Sequence, residues 1–314
     1  MEKNSFTDSH SFGPGAGKSS NFYPRYLAAK KSIDDRSLNQ HVWQTLLQAL
    51  KKKNDGLLQI LEVGAGIGTM FARAVDWGLL SGPVCYMATD NDRAQLTAAR
   101  SYLTGWAEDN NHSLTWSTKY RGRLITQDID VEVVLENIDA TKIGERADMF
   151  GRFHLVIAHA VLDLVDFSTV LPELLSPLQS DGLAYLTCNF DGKTVFIPEL
   201  PDDKEILRLY HRSMENRTKG ASRTGRNLLQ FFQQQELEIL AAGSSDWVLH
   251  PPKTGYSPKE EFFLHAIIDM VGGELNKTDF HIPGISKWTR LRHQQVDDGR
   301  LSFLASHLDF LIRR

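Results

Sequence analysis

Glu62, Gly64, Gly66 and Gly68 fall at alternate positions where this sequence could do chemistry. They close an apolar run over residues 57–63 that fits a buried strand. A helical pattern follows at once, with Met70, Phe71, Ala74 and Val75 on one side. Glycines at such a turn let the backbone reverse sharply and let a ligand approach the main chain. Two more acids continue the series. An apolar run over residues 84–89 ends in Asp90-Asn91-Asp92, and an alternating run over 131–138 ends in Asp139-Ala140. In open α/β sheets an acid after the second strand accepts hydrogen bonds from ribose hydroxyls. Bonds to a carboxylate are about twice as strong as neutral ones. Asp92 reads better as the N-cap of the following helix. Asp128 and Asp130 rival Asp139 if the third strand is instead residues 123–127.

The spacing bears on the ligand. A dinucleotide turn needs Gly-x-Gly-x-x-Gly, with the last glycine beside the pyrophosphate. Here the third glycine comes one residue early and Thr69 takes its place. A methionine-derived cofactor has no pyrophosphate to cradle. The phrase Glu62-x-Gly64-x-Gly66-x-Gly68 resembles motif I of the class I S-adenosylmethionine-dependent methyltransferases, and Asp90 resembles the ribose ligand of their second motif. The resemblance covers residues 57–189 by motif and the remainder by element order alone. It implies S-adenosylmethionine as cofactor. It also implies that Ala65 and Asn91 lie beside the ligand, that Asp139 accepts from the adenine amino group, and that Ala140 flanks the ring.

Residues 153–165 read as a fourth strand and its exit, and resemble the family's motif IV, whose backbone lines the methyl-transfer centre. This places Ala158 and His159 against the cofactor. His159 and Asp163 are the candidate general bases, needed only where the acceptor must lose a proton. The chain departs from the family pattern at His154, where an acid is common. It also lacks the Asn/Asp-Pro-Pro-aromatic tetrad, which argues against exocyclic base nitrogens and glutamine as acceptors.

These residues need elements to hold them. Residues 171–178 and 258–272 fit helices, and 182–190, 237–242 and 301–312 fit strands. Alternation of this kind predicts an α/β fold: a doubly wound, mostly parallel, seven-stranded Rossmann-like sheet with a helical N-terminal cap and a lid insertion. The expected divisions are a disordered tail over 1–20, the cap over 21–56, a cofactor-binding core over 57–192, a substrate lid over 193–235 and a completing segment over 236–314. In the cap, Arg36 could pair with the cofactor carboxylate and Tyr26 could face the acceptor. A hairpin turning at Arg121-Gly122 is expected within 105–127. In the lid, Tyr210, Arg212, Arg217, Lys219, Arg223 and Arg226 suit an anionic acceptor, since Arg recognises carboxylate and phosphate bidentately. The same cations would also suit a solvated helix face.

Composition sets limits. The chain has 314 residues, 41% hydrophobic, enough for a sizeable core. A net charge of −4 gives no bulk footprint for nucleic acid. No apolar run reaches spanning length and no signal-peptide pattern is present, so a cytoplasmic protein is expected. The two cysteines, Cys85 and Cys188, read as buried small hydrophobes. His250, His265, His281 and His293 show no metal-ligand spacing along the chain, and no Cys-x-x-Cys occurs, so no metal is expected. The Gly-rich stretch 12–19 lacks the first glycine of a P-loop. A methyltransferase acting on a small metabolite is the leading expectation, an anionic one if the lid's cations bind it. An RNA or protein methyltransferase, or a non-catalytic cofactor-binding regulator, stays open.

Overall fold

The computed structural model describes residues 21–51, 56–218, 221–277 and 284–314. The expected tail over 1–20, its P-loop-like stretch, Lys219 and His281 lie outside them.

In chain order the elements begin with α1 (Phe22–Ser37), α2 (Gln40–Lys51), β1 (Leu58–Val63), α3 (Thr69–Asp76), β2 (Gly82–Asp90) and α4 (Arg93–Asp109). A short hairpin, β3 (Ser113–Trp116) and β4 (Arg121–Ile125), leads into β5 (Ile129–Asn137), β6 (Phe153–His159), α5 (Phe167–Leu175) and the long β7 (Leu178–Ile197). The chain ends with α6 (Asp203–Arg217), α7 (Thr224–Gln234), β8 (Glu238–Ser244), β9 (Trp247–Leu249), α8 (Pro258–Lys277), α9 (Ile285–Asp297) and β10 (Ser302–Arg313).

The strands form one sheet in the order β3-β4-β5-β2-β1-β6-β7-β10-β8, with β9 paired to β10. Strands β5, β2, β1, β6 and β7 pair in parallel, and β10 runs antiparallel between β7 and β8. Seven strands make the expected doubly wound core. The β3–β4 hairpin and β9 extend it to ten among the described residues. The hairpin turns at residues 117–120, not at Arg121-Gly122, which opens β4. Gly122 lies against the Trp116 ring, so the aromatic residue packs across the pair rather than filling the turn. The third parallel strand is β5. Asp139 therefore follows its carboxyl end, while Asp130 lies near the opposite end, paired to Arg123.

Parallel strands buried on both faces read as near-continuous apolar runs, and β1 and β6 do so apart from Gln59, Glu62, His154 and His159. Leu58 and Ile60 pack with α2, α3 and α4, whereas Leu61 and Val63 pack with α5 and α7. A third cluster sits beyond the carboxyl ends. There α1, α6, α8 and α9 gather around the outer parts of β7 and β10, with Phe196, Phe263, Trp288 and Phe303 at its centre. The first helix of the expected cap, α1, and the first helix of the expected lid, α6, thus join one helical cover over the sheet's carboxyl edge, while α2 and α7 pack on the two faces of the sheet. The strand order reverses between β1 and β6, the place where open α/β sheets form a ligand crevice.

Candidate active site

The turn after β1 opens that crevice. Gly64, Gly66 and Gly68 all have positive φ, at 66°, 54° and 81°. Side chains other than glycine are strained there. A Cβ on Gly64 would meet Val161 at 2.5 Å, and one on Gly66 would meet Leu27 at 2.7 Å. The glycines therefore let α1 and the exit of β6 close tightly on the turn. Gly68 caps α3 and lies against Leu103, one layer behind the crevice.

Asp90, at the end of β2, is buried. Its two oxygens accept from the backbone N–H groups of Gly66 (2.8 Å) and Asp92 (2.9 Å). One carboxylate thus ties the glycine turn to the second strand. Burial raises its pKa, against the pull of the two amide bonds. Asp92 is the N-cap of α4, as expected, accepting from Ala94 N–H at 2.8 Å. Asp139 caps the short 3-10 turn after β5, accepting from Thr141.

Glu62 is buried beneath the turn and accepts from the Tyr86 hydroxyl at 2.7 Å. Burial pushes its carboxyl up to about 8, despite that hydrogen bond and the nearby Arg73. Tyr23 of α1 is likewise driven up to about 12, by burial and then by Asp90 and Asp163.

A buried polar network forms the floor between α1 and the sheet. Asp34 accepts from Lys30 Nζ (2.6 Å) and Trp247 Nε1 (3.1 Å), and His159 Nε2 lies 3.0 Å from it. The other His159 nitrogen meets Thr187 Oγ1 at 2.9 Å. Burial alone would raise the Asp34 pKa, but Lys30, His159 and Arg73 outweigh it and hold the carboxyl well below the usual range. Burial and Lys30 push His159 down to about 4, so the ring is neutral at pH 7. A carboxylate can only accept. Nε2 of His159 therefore carries the hydrogen, and Nδ1 accepts from Thr187. Two residues beside this floor, Ala160 and Cys188, hold left-handed backbone at φ 55° and 59°. The Cys188 N–H donates to Asp309 at 2.7 Å.

All of this borders one cavity of about 960 Å³. Glu62, Gly64, Ala65, Gly66, Asp90 and Asn91 line it, as do Asp139, Ala140, His159 and Asp163. Ala158 is buried within β6, and Ala158 and Gly68 stand behind the lining. The helical cover supplies Tyr26, Tyr210 and Met214, and the outer strands β7, β9 and β10 supply Phe190, Trp247 and Phe303. Among the described residues, Arg36, Arg212, Arg223 and Arg226 do not join them. Arg36 is half exposed and pairs with Glu260 at 2.7 Å. Arg226 makes a two-pronged contact with Asp191, and Arg223 lies 3.9 Å from Glu215. Arg212, Arg223 and Arg226 are exposed and outside the lining. Among the described lining residues, Lys30 is the one lysine or arginine, and Asp34 holds it.

The Lys30–Asp34 pair was missed in the sequence, where a charged i,i+4 pair reads as a solvated helix face. His307 was missed too; it is buried and lines the cavity.

No protein-family model matches the chain, and no curated protein sequence matches it. Several solved structures are similar in shape. Phosphoethanolamine N-methyltransferase 2 of Haemonchus contortus, solved with S-adenosyl-L-methionine, is 12% identical at TM-score 0.43, over 94% of this chain and 58% of that one. This chain thus spans well under two thirds of that enzyme's length. Geranyl diphosphate C-methyltransferase of Streptomyces coelicolor is 11% identical at TM-score 0.39, over 96% and 88%. YjhP of E. coli is 13% identical at TM-score 0.46, over 92% and 99%. With every one of these TM-scores below 0.5, the functional reading rests on the site itself. The sheet order and its crevice make the chain a doubly wound, Rossmann-like α/β fold in architecture.

Proposed function

We propose that this protein transfers a methyl group from S-adenosylmethionine to a small molecule whose body is largely apolar. One observation carries the reading: a single cavity joins the glycine turn, Asp90 and Asp139 to an aromatic wall supplied by the helical cover and the outer strands β7, β9 and β10. The residues present fit the cofactor. Asp90 keeps acceptor capacity for ribose hydroxyls, since each carboxylate oxygen has more than one lone pair. The buried Glu62, on giving up its proton, would offer a negative partner for the ammonium end, and Asp139 would accept from the adenine amino group.

The bound cofactor would supply a methyl group already activated by its sulfonium. The chain's own task is then alignment of acceptor and methyl, which can contribute on the order of 7–11 kcal/mol in favourable cases. Tyr26, Phe190, Tyr210 and Trp247 would hold an apolar acceptor by its faces. His159 has both nitrogens committed to Asp34 and Thr187, so it positions the floor. Asp163, a carboxyl group on the cavity wall, is the better-placed proton acceptor where the substrate must lose one. An anionic acceptor finds little support, because Arg212, Arg223 and Arg226 stand outside the cavity.

The test is direct. Calorimetry should show S-adenosylmethionine or its demethylated product binding in the micromolar range, about −8 kcal/mol at 1 μM. Incubation with methyl-labelled cofactor and separated metabolite, RNA and protein fractions should label the metabolites. Label in RNA or protein instead would replace the acceptor class, and binding without any transfer would favour a regulatory protein. Tight binding of a nicotinamide dinucleotide with no binding of the methyl donor would overturn the reading.

A further inference from the structure

The histidines that lack metal-ligand spacing along the sequence acquire it across two helices. On α8, Glu261, His265 and Asp269 are spaced four apart, so they share one stripe; His293 and Asp297 do the same on α9. The two helices pack together and bring the stripes face to face. His265 Nε2 lies 3.1 Å from Asp297 Oδ1. A ligand atom from each of Glu261, His265 and Asp297 falls within 4.8 Å of the others.

The groups behind His265 complete the pattern. Its Nδ1 lies 2.7 Å from Nδ1 of His293, and His293 Nε2 lies 3.0 Å from Asp269 Oδ1. Asp269 can only accept, so His293 donates from Nε2 and accepts at Nδ1. His265 must then donate from Nδ1. A neutral His265 then presents its Nε2 lone pair to Asp297, with a Glu261 oxygen within 4.8 Å, and a cation there satisfies all three groups. Metal-bound histidines generally donate their other N–H to such an outer partner, which fixes the ring.

We propose that Glu261, His265 and Asp297 bind a divalent transition-metal ion of the zinc type, with His293 and Asp269 as positioning residues. One imidazole with two carboxylates suits zinc better than the all-oxygen preference of magnesium or calcium. Ligands about 2.0–2.2 Å from the ion require Glu261 and Asp297 to draw in slightly, and both are side chains with at least partial exposure. The same exposure leaves a fourth position to water. The ion would tie α9 to α8, whose Ile267, Met270 and Asp269 wall the main cavity. The site stands independently of the methyl-transfer reading.

Calorimetry with zinc alone on the chelator-stripped full chain tests this. One ion should bind per chain. His265→Gln and Asp297→Asn should each weaken it at least tenfold, and His293→Gln roughly 10–100-fold, as an outer-shell loss does. Cobalt in place of zinc should give visible absorption bands that His265→Gln abolishes, while circular dichroism of the variants stays native. Absence of zinc binding, unchanged affinity in His265→Gln, or magnesium binding as tightly as zinc would overturn the proposal.

Discussion

Asp90 does two things with one side chain. Its carboxylate holds the glycine turn through Gly66 N–H and Asp92 N–H, and the same oxygens border the cavity. Asp90→Ala should therefore weaken S-adenosylmethionine by roughly 1.5–3 kcal/mol, the range for a hydrogen bond to a charged group, about 10–100-fold in calorimetry. Asp90→Asn keeps an acceptor for one of the two amides and should lose less. Equal affinity in wild type and Asp90→Ala would move the ribose role elsewhere. Glu62 gives a pH signature. Its pKa in the free protein is pushed up to about 8, so it is mostly protonated at neutral pH. If it pairs with the cofactor's ammonium group, binding must release that proton. Affinity should then rise with pH up to about 8 and level off above it, by at most tenfold per unit. In Glu62→Gln this dependence should vanish. A wild-type affinity flat from pH 6 to 9 would place the ammonium group away from Glu62.

At the scale of elements, the strand–turn–helix at β1 and α3 was legible because it rests on local chemistry: an apolar run, then glycines where positive φ is needed. Gly66→Val should fold yet lose cofactor binding, since a branched side chain there is strained at φ 54° and collides with Leu27 of α1. Normal affinity in that variant, measured by calorimetry, would reduce the glycines to a turn. The helical cover was less legible. Residues of α1 read as an aromatic patch because Phe22, Tyr23 and Tyr26 stand out, but α8 is what they pack on: Tyr26 stacks on Phe263 and Phe22 tilts on Phe262. Partners more than two hundred residues apart leave no local signal. Lys30 and Asp34 look like an ordinary surface pair until Trp247 and His159 close over them. Arg223 and Arg226 mislead in the opposite sense, for their acidic partners Glu215 and Asp191 meet them at the surface. Exposed pairs of this kind are worth about 0–1 kcal/mol. Arg223→Gln with Arg226→Gln should accordingly leave the acceptor's KM and the cofactor affinity unchanged. A raised KM that falls back with salt would restore the anionic-acceptor reading.

Across the whole molecule, four buried groups set opposing pH dependences. Burial and Lys30 lower His159 to about 4 and His307 to about 3. Unfolding frees both rings to take a proton near 6.5, so each contributes stability that is lost as pH falls below about 6.5. Burial raises Glu62 to about 8 and Asp309 to about 6, the latter despite bonds from Asn39 N–H, Cys188 N–H and Ser245. Their unfolded forms ionise near 4, so each costs stability as pH rises from about 4 towards its folded value. Between about pH 4.5 and 6.5 the two pairs oppose one another, and the wild type's unfolding temperature should change little from these groups. Single variants should expose the imbalance. In Glu62→Gln one carboxyl is gone, so the histidines dominate and acidification should lower the midpoint. With His307→Asn the carboxyls dominate and acidification should raise it. The buried shifts amount to several kcal/mol each at order of magnitude, enough for the two slopes to be read by thermal unfolding at a series of pH values. Slopes of the same sign in both variants would mean that one of these groups is not buried as described. The candidate first in doubt would be His307, whose environment depends on Trp247, Phe190 and the outer part of β10 staying packed together.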